Sequence, residues 1–227
     1  MANIKVIAVA AAAIVLVSAV VIYSSSYMSD FEMRDESVAR IGAEPKTMET
    51  AQSPLLGSGT APITIIEVGD YQCEMCKKWF EETRPKIIEN YVETGKANFM
   101  FVDMPFLGTD SYFAAEATYC ADDQGKYWEY HETLYKLQQH VDDGWANGAR
   151  LVAIAQNLDM DVMEFNNCMT GREHHSTVDS QKHNAKNFFG ANSTPTFLIV
   201  NVASGESEQI IGAHPYSSFE KVINSLL

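Results

Sequence analysis

Two cysteines spaced three residues apart, Cys73 and Cys76, stand between two segments with different hydrophobic periods. Residues 63–68 (ITIIEV) are apolar and β-branched, which is typical of a strand that is buried on both faces of a sheet. From Glu74 onward the apolar residues recur at helical spacing. We therefore predict that the chain passes from a buried strand into a helix that begins at the cysteine pair, within an α/β domain.

The position of this pair favours redox chemistry. Residues three apart share one face of a helix, at a separation that suits a disulfide. Cys73 is expected at the first turn, where the helix dipole and free backbone N–H groups stabilise a thiolate, the attacking species in disulfide exchange. Cys76, one turn further on, is expected to resolve the mixed disulfide. The spacing alone also fits half of a zinc site or a static disulfide.

An apolar run of 18 residues, 6–23, precedes the cysteine pair. As a helix it would be about 27 Å long, close to the thickness of the hydrocarbon core of a bilayer. Lys5 precedes the run, whereas acidic residues follow it. We therefore predict a signal anchor at 6–23, with residues 1–5 in the cytosol and the folded domain on the outer side of the cell membrane. A cleaved signal peptide is the alternative, and it would release a secreted form.

The rest of the chain divides into a tether and one domain. Residues 24–55 are polar and contain Ser, Gly and Pro, which predicts a linker. Residues 56–227 are enough for a single domain, with the element order β-α-β, several helices, and β-β-α. The net charge of −14 has no basic aromatic stripe to offset it, which argues against a nucleic-acid partner.

Three segments of this domain resemble the DsbA-like thioredoxin-fold family of bacteria and archaea. They are PLLGSGTAPITIIEVGDYQCEMCKKWF around the cysteine pair, ADDQGKYWEYHETLY in the helical region, and NSTPTFLIV before a late strand. The resemblance covers about residues 54–227. It implies a thioredoxin-like α/β fold with a helical insertion at about 109–188, preceded here by one transmembrane helix. It also implies a thiol–disulfide oxidoreductase, expected to act as a dithiol oxidase without a metal or an organic cofactor.

The resemblance assigns roles to three further residues. Pro195 matches the family's cis-proline, which lies beside the cysteine pair, and Thr194 supplies backbone groups that can pair with a substrate strand. Glu67 lies six residues before Cys73, where thioredoxin-fold enzymes often keep a buried carboxylate. Burial there would raise its pKa and let it take a proton from Cys76. Without the resemblance, an ordinary turn proline and a solvated carboxylate fit these positions as well.

Two more cysteines, Cys120 and Cys168, lie in the helical region. Four thiols in an exported chain allow three pairings. Because some members of the family have a disulfide in the helical insertion, the resemblance implies a structural bridge between Cys120 and Cys168. A second redox relay and two free buried thiols remain as alternatives.

The chain departs from the family between its two paired cysteines. DsbA has Pro-His there, and the histidine helps to stabilise the thiolate, whereas this chain has Glu74 and Met75. We therefore expect the pKa of Cys73 to exceed the roughly 3.5 of DsbA. We also expect a redox couple less oxidising than its roughly −120 mV.

The partners that the resemblance implies are exported polypeptides that contain cysteine. Oxidation of the pair would be restored by a quinone-linked membrane protein of the DsbB or vitamin K epoxide reductase type. Two other functions remain open. One is a disulfide reductase or isomerase that uses the same residues. The other is a non-enzymatic module that binds peptides or holds a soft metal ion on its thiols.

Overall fold

The structure is a computed structural model that describes residues 38–42 and 53–227. The predicted membrane helix at 6–23 lies outside these ranges. Among the residues that are described, no helix is both long and apolar enough to cross a bilayer.

The described residues form one mixed sheet. Its strands are β1 Val38–Gly42, β2 Ile63–Gly69, β3 Ala97–Asp103, β4 Thr196–Asn201 and β5 Glu206–Ile211. They lie side by side in the order β1-β5-β4-β2-β3. β2 and β3 are parallel, whereas the other neighbouring pairs are antiparallel. Every residue of β2 and β3 is buried, as the apolar, β-branched composition of these segments predicts.

Helices cover both faces of the sheet and form the long excursion between β3 and β4. They are α1 Glu74–Glu82, α2 Arg84–Ile87, α3 Thr109–Asp122, α4 Tyr127–Leu137, α5 Gly148–Asn157, α6 Val162–Gly171, α7 His175–Asn187 and α8 Tyr216–Leu226, and a π-helical turn at Ile88–Val92 follows α2. Helices α3 to α7 thus occupy the region predicted as a helical insertion.

Trp79 anchors α1 to the sheet. Its ring lies 4.5 Å from that of Phe197 on β4, 5.6 Å from that of Phe219 on α8 and 6.0 Å from that of Phe99 on β3. Aromatic side chains bury large apolar areas, and ring pairs at these separations add about 0.5–1.5 kcal/mol each. The helix that begins at the cysteine pair is therefore fixed against the centre of the sheet.

The segment predicted as a linker, 24–55, differs from the prediction in one part. Val38–Gly42 forms β1, which pairs antiparallel with β5 from Val38 opposite Ile210 to Gly42 opposite Glu206. The sequence VARIG contains β-branched residues, and it covers an edge of β5 that would otherwise leave backbone groups unpaired. This part of the segment is an edge strand of the sheet.

Candidate active site

Cys73 lies at the junction between the sheet and α1. It immediately precedes the helix in an extended conformation, with φ −78° and ψ 115°. Its backbone N–H donates a hydrogen bond to the carbonyl of Asp70, at 2.9 Å. The side chain is 7% exposed, and its Sγ lies 3.4 Å from the carbonyl oxygen of Thr194. The Cys73 sulfur thus lies at the N-terminal end of α1, beside the loop that precedes β4.

The two thiols of the pair have opposite acidities. A hydrogen bond from the Cys76 thiol lowers the pKa of Cys73 to about 6, and the Thr194 side chain and the backbone N–H groups of Cys76 and Met75 add to this against the cost of burial. Cys76 is fully buried, and burial and its hydrogen bond to Cys73 raise its pKa well above the usual value. Both thiols are free in the structure. At neutral pH the pair therefore consists of an outer thiolate and an inner thiol.

Glu67 is a buried carboxyl group on β2. Its register partners are Phe101 on β3 and Phe197 on β4, and 1% of the residue is exposed. Burial raises the pKa of Glu67 to about 8, with a smaller contribution from Cys73 and an opposing one from Arg84. Its Oε1 has no hydrogen-bond partner within the described part of the chain. Glu67 is thus a neutral acid at pH 7 and can give up a proton.

The loop before β4 brings Thr194 and Pro195 against Cys73. The peptide bond between Thr194 and Pro195 is cis. The Thr194 carbonyl faces the Cys73 sulfur, whereas the Pro195 carbonyl accepts a hydrogen bond from the N–H of Gly212 at 2.8 Å. The structure therefore groups Cys73, Cys76, Thr194 and Pro195 at one end of the sheet.

Cys120 and Cys168 form a disulfide between α3 and α6, across 48 residues of sequence, with their Cα atoms 5.9 Å apart. The potential ligand atoms of these cysteines and of His174 all lie within 4.8 Å of one another, as metal ligands would. Because the two sulfurs are bonded to each other, neither is available as the thiolate that a zinc site requires. The Nε2 of His174 instead pairs with the Oδ2 of Asp123, at 2.8 Å.

Asp70 flanks the cysteine pair in the sequence, which by itself assigns it no role, and the structure places it at the site. It lies between β2 and α1, is 2% exposed, and accepts four hydrogen bonds. Oδ1 accepts from the Gln72 N–H at 2.8 Å and the Ser111 hydroxyl at 2.7 Å. Oδ2 accepts from the N–H groups of Phe106 and Leu107, at 2.9 and 3.1 Å. Asp70 thus ties the loop that presents Cys73 to the start of the helical insertion.

Gln138, directly after α4, supports the same loop from the other side. Its Nε2 donates hydrogen bonds to the carbonyls of Tyr71 and Cys73, the second at 3.1 Å. The Nζ of Lys77 on α1 donates to the Gln138 carbonyl at 2.8 Å. Since Gln138 lies 65 residues from Cys73 in the sequence, no local pattern identifies it.

We expect Asp70→Ala to lower the free energy of unfolding by about 3 kcal/mol, because four donors around a buried carboxylate lose their acceptor. Urea denaturation measures the change. Glu129→Ala, which removes a carboxylate that is 52% exposed, is the matched control and should change stability by less than about 0.5 kcal/mol. Equal effects in the two variants would contradict the role assigned to Asp70.

The alkylation rate of Cys73 is expected to rise with pH through a midpoint near 6. Because the thiolate is the reactive form, the rate at pH 7 should be about ten times that at pH 5. Stopped-flow measurement with iodoacetamide tests this. Cys76→Ala removes the main hydrogen bond to the thiolate and should move the midpoint upward, whereas Cys76→Ser keeps a donor. A midpoint above 8 in the wild-type protein would contradict the assignment.

These groups together are suited to one kind of chemistry. A stabilised thiolate at the start of α1, a fully buried thiol one turn along the helix and a neutral carboxylic acid on β2 can break and re-form a disulfide with a proton supplied internally. Cys73, Cys76 and Glu67 provide these three groups at the N-terminal end of α1.

The chain matches known proteins over most of its length. The profile of a protein family described as thioredoxin matches residues 49–225. A probable disulfide bond formation protein D from Bacillus anthracis is 26% identical over 174 residues, which are 74% of this chain and 79% of that protein. Disulfide bond formation protein D from Bacillus subtilis is 33% identical over 106 residues, 46% of this chain and 48% of that protein.

The crystal structure of oxidised BdbD from Bacillus subtilis is similar to this structure. It aligns with a TM-score of 0.71 at 23% sequence identity, over 84% of this chain and 98% of BdbD. At this level of identity, the likeness shows a shared fold.

Proposed function

We propose that this chain, which belongs to the thioredoxin family and is a DsbA-like thiol–disulfide oxidoreductase, oxidises the thiols of exported polypeptides through Cys73 and Cys76. The observation that carries the proposal is the difference in acidity within the pair. The pKa of Cys73 is lowered to about 6, whereas that of Cys76 is raised. A stabilised thiolate favours the reduced pair, which makes the oxidised pair a better acceptor of electrons from substrate thiols.

In the first step, a substrate thiolate attacks the Sγ of Cys73 in the oxidised pair. A bond forms between the substrate sulfur and Cys73, the bond between Cys73 and Cys76 breaks, and its electrons pass to the Cys76 sulfur. That sulfur is fully buried, where an unpaired charge is costly. Glu67, protonated at neutral pH, gives its proton to Cys76.

In the second step, another thiolate of the same substrate attacks the substrate sulfur of the mixed disulfide. The substrate disulfide forms, and Cys73 leaves as a thiolate. Its lowered pKa makes it a good leaving group. The substrate has lost two electrons and the cysteine pair has gained them.

Thr194 and Pro195 are proposed to hold the substrate during both steps. The carbonyl of Thr194 already lies 3.4 Å from the Cys73 sulfur. An extended substrate segment that pairs with the backbone at Thr194 would therefore place its own cysteine next to Cys73. Pro195 has no N–H group, so that position does not compete for the acceptors of the substrate.

We further propose that the domain works outside the cytosol, held to the membrane by the signal anchor at 6–23. An oxidising compartment suits both the exported substrates and the Cys120–Cys168 bridge. Because each turnover leaves the pair reduced, an oxidant must act on Cys73 and Cys76 afterwards. A quinone-linked membrane protein of the DsbB or vitamin K epoxide reductase type would meet this need.

Stoichiometric oxidation of a reduced dithiol peptide tests the proposed direction. The pre-oxidised protein should convert one peptide dithiol to a disulfide per chain, with the appearance of two thiols on the protein. Cys120→Ala with Cys168→Ala serves as the matched control and should give the same stoichiometry. If the oxidised protein leaves the peptide reduced while the reduced protein cleaves the disulfides of insulin, the chain is a reductase.

A further inference from the structure

Several buried polar atoms on the Glu67 face of the sheet have no partner among the described residues. They are the Oε1 of Glu67, the Nε and Nη2 of Arg84, the Nε2 of His131 and the Nε1 of Trp128. Buried polar groups in folded proteins are almost always hydrogen-bonded, so each such atom requires an explanation. Here one acceptor, the Oε1 of Glu67, and several nitrogen atoms lie on the same face of the sheet.

The neighbours of these groups place them together. The guanidinium of Arg84 lies 5.6 Å from the ring centroid of Phe99, and the ring of His131 lies 4.8 Å from that of Phe101. Phe99 and Phe101 are two residues apart on β3 and point to the same face. Phe101 is the register partner of Glu67, so Arg84 and His131 pack over the strand positions next to the carboxyl group.

Arg84 is an unusual residue to bury in this layer. It is 5% exposed, and its Nη1 forms an ion pair with the Oε1 of Glu132 at 3.1 Å. Among residues 38–42 and 53–227, its Nε and Nη2 have no hydrogen-bond partner. A buried guanidinium with unpaired N–H groups is destabilising, and this cost falls in any state of the protein in which those groups gain an acceptor. The redox cycle provides one, since Glu67 becomes a carboxylate after it loses its proton.

We propose that Arg84 is a positioning residue of the redox reaction, whose unpaired guanidinium N–H groups stabilise the carboxylate of Glu67 each time Glu67 gives its proton to the Cys76 sulfur. The inference rests on the proposed function and deepens it. The proton leaves the Glu67 carboxyl group and binds the Cys76 thiolate, so one buried negative charge moves from sulfur to oxygen. Glu67 later regains a proton from solvent and is neutral again, whereas the cysteine pair stays reduced until an oxidant acts on it.

Other titratable groups facing Glu67 cannot take this role. Cys73, just before α1, and Cys76, on α1, are thiols or thiolates, and Tyr135 on α4 has a pKa raised by burial. Burial and the nearby Arg84 lower the pKa of His131 well below its usual value, so its imidazole is neutral. Within the described part of the chain, the cation facing Glu67 is therefore Arg84, and it lowers the pKa of that carboxyl group.

Titration of the Glu67 carboxyl carbon by NMR tests the proposal directly. Selective ¹³C labelling of glutamate, with Glu67→Gln to assign the signal, gives the midpoint in the reduced protein. Arg84→Met should raise this midpoint by at least one pH unit, because the carboxylate loses its cation. Arg84→Lys keeps the charge and should remain closer to wild type, although an ammonium group does not reproduce the guanidinium geometry.

Glu132→Gln gives a second readout that leaves Arg84 in place. It removes the carboxylate that pairs with Arg84 and partly neutralises its charge. The guanidinium then stabilises the Glu67 carboxylate more strongly, so the titration midpoint of Glu67 should fall. This test remains available if Arg84→Met does not fold. The proposal is overturned if the Glu67 midpoint stays within 0.3 pH unit of wild type in Glu132→Gln and in every Arg84 variant that folds.

The same variants separate this inference from the proposed function. If the midpoints move as expected but the wild-type protein oxidises no dithiol, the oxidase function fails and the role of Arg84 toward Glu67 stands. If dithiol oxidation proceeds and keeps the same pH profile in Arg84→Met, the positioning role fails and the oxidase function stands.

Discussion

Serine in place of Cys73 is expected to reduce the rate of dithiol oxidation by at least about 10³-fold, to the uncatalysed background. A hydroxyl group cannot form the mixed disulfide. The buried Cys76 cannot replace Cys73, since it is fully buried and its pKa is raised. The assay follows oxidation of a dithiol peptide in the presence of an excess of a disulfide oxidant.

Cys76→Ser is the matched variant for this prediction. In the reverse reaction, the Cys73 thiolate attacks a peptide disulfide and Cys76 then breaks the mixed disulfide. Cys76→Ser keeps the first sulfur and removes the second, so a mixed disulfide between Cys73 and a disulfide-containing peptide should accumulate. Non-reducing electrophoresis and mass spectrometry identify this species. If Cys73→Ser retained the activity, or if the trapped peptide were found on another cysteine, the assignment of the attacking sulfur would be wrong.

Removal of the second cysteine pair, by Cys120→Ala with Cys168→Ala, is expected to lower the free energy of unfolding by about 4 kcal/mol. The bridge closes a loop of 48 residues between α3 and α6, and without it the unfolded chain gains the corresponding entropy. Both sulfurs are also buried, so their loss adds a packing cost. Urea denaturation of oxidised protein at pH 7 measures the difference.

Activity of the same double variant separates a structural bridge from a redox relay. If the bridge is structural, the folded variant should still oxidise dithiols at close to the wild-type rate. A stability within 1 kcal/mol of wild type would contradict the structural role. Loss of exchange in a well-folded variant would instead favour the relay.

The fold near the cysteine pair could be predicted from local sequence. The thioredoxin-like fold with a helical insertion is confirmed by the likeness to oxidised BdbD. The apolar segment before the pair is β2, which ends at Gly69, and α1 begins at Glu74. Both elements have a clear hydrophobic period in the sequence. The packing agrees with that pattern, since Trp79 of α1 is buried between the sheet and α8.

The residues around the pair could not be predicted in the same way. Gln138 and Arg84 reach the site from separate helices, so their partners follow from how α1, α2 and α4 pack together. Asp70 carried one available signal, a carboxylate between a buried strand and a helix start, where loop N–H groups need an acceptor. β1 is an edge strand of five residues, and its two β-branched residues are too few to set it apart from the surrounding polar segment.

The reduction potential of Cys73 and Cys76 against glutathione tests the account most directly. The pKa of about 6 lies above the roughly 3.5 of DsbA and below the roughly 8.5 of an ordinary cysteine. The account therefore predicts a potential between about −270 mV, as in thioredoxin, and about −120 mV, as in DsbA. A potential at or above about −120 mV, a potential at or below about −270 mV, or a pair that does not equilibrate with glutathione at any ratio would contradict it.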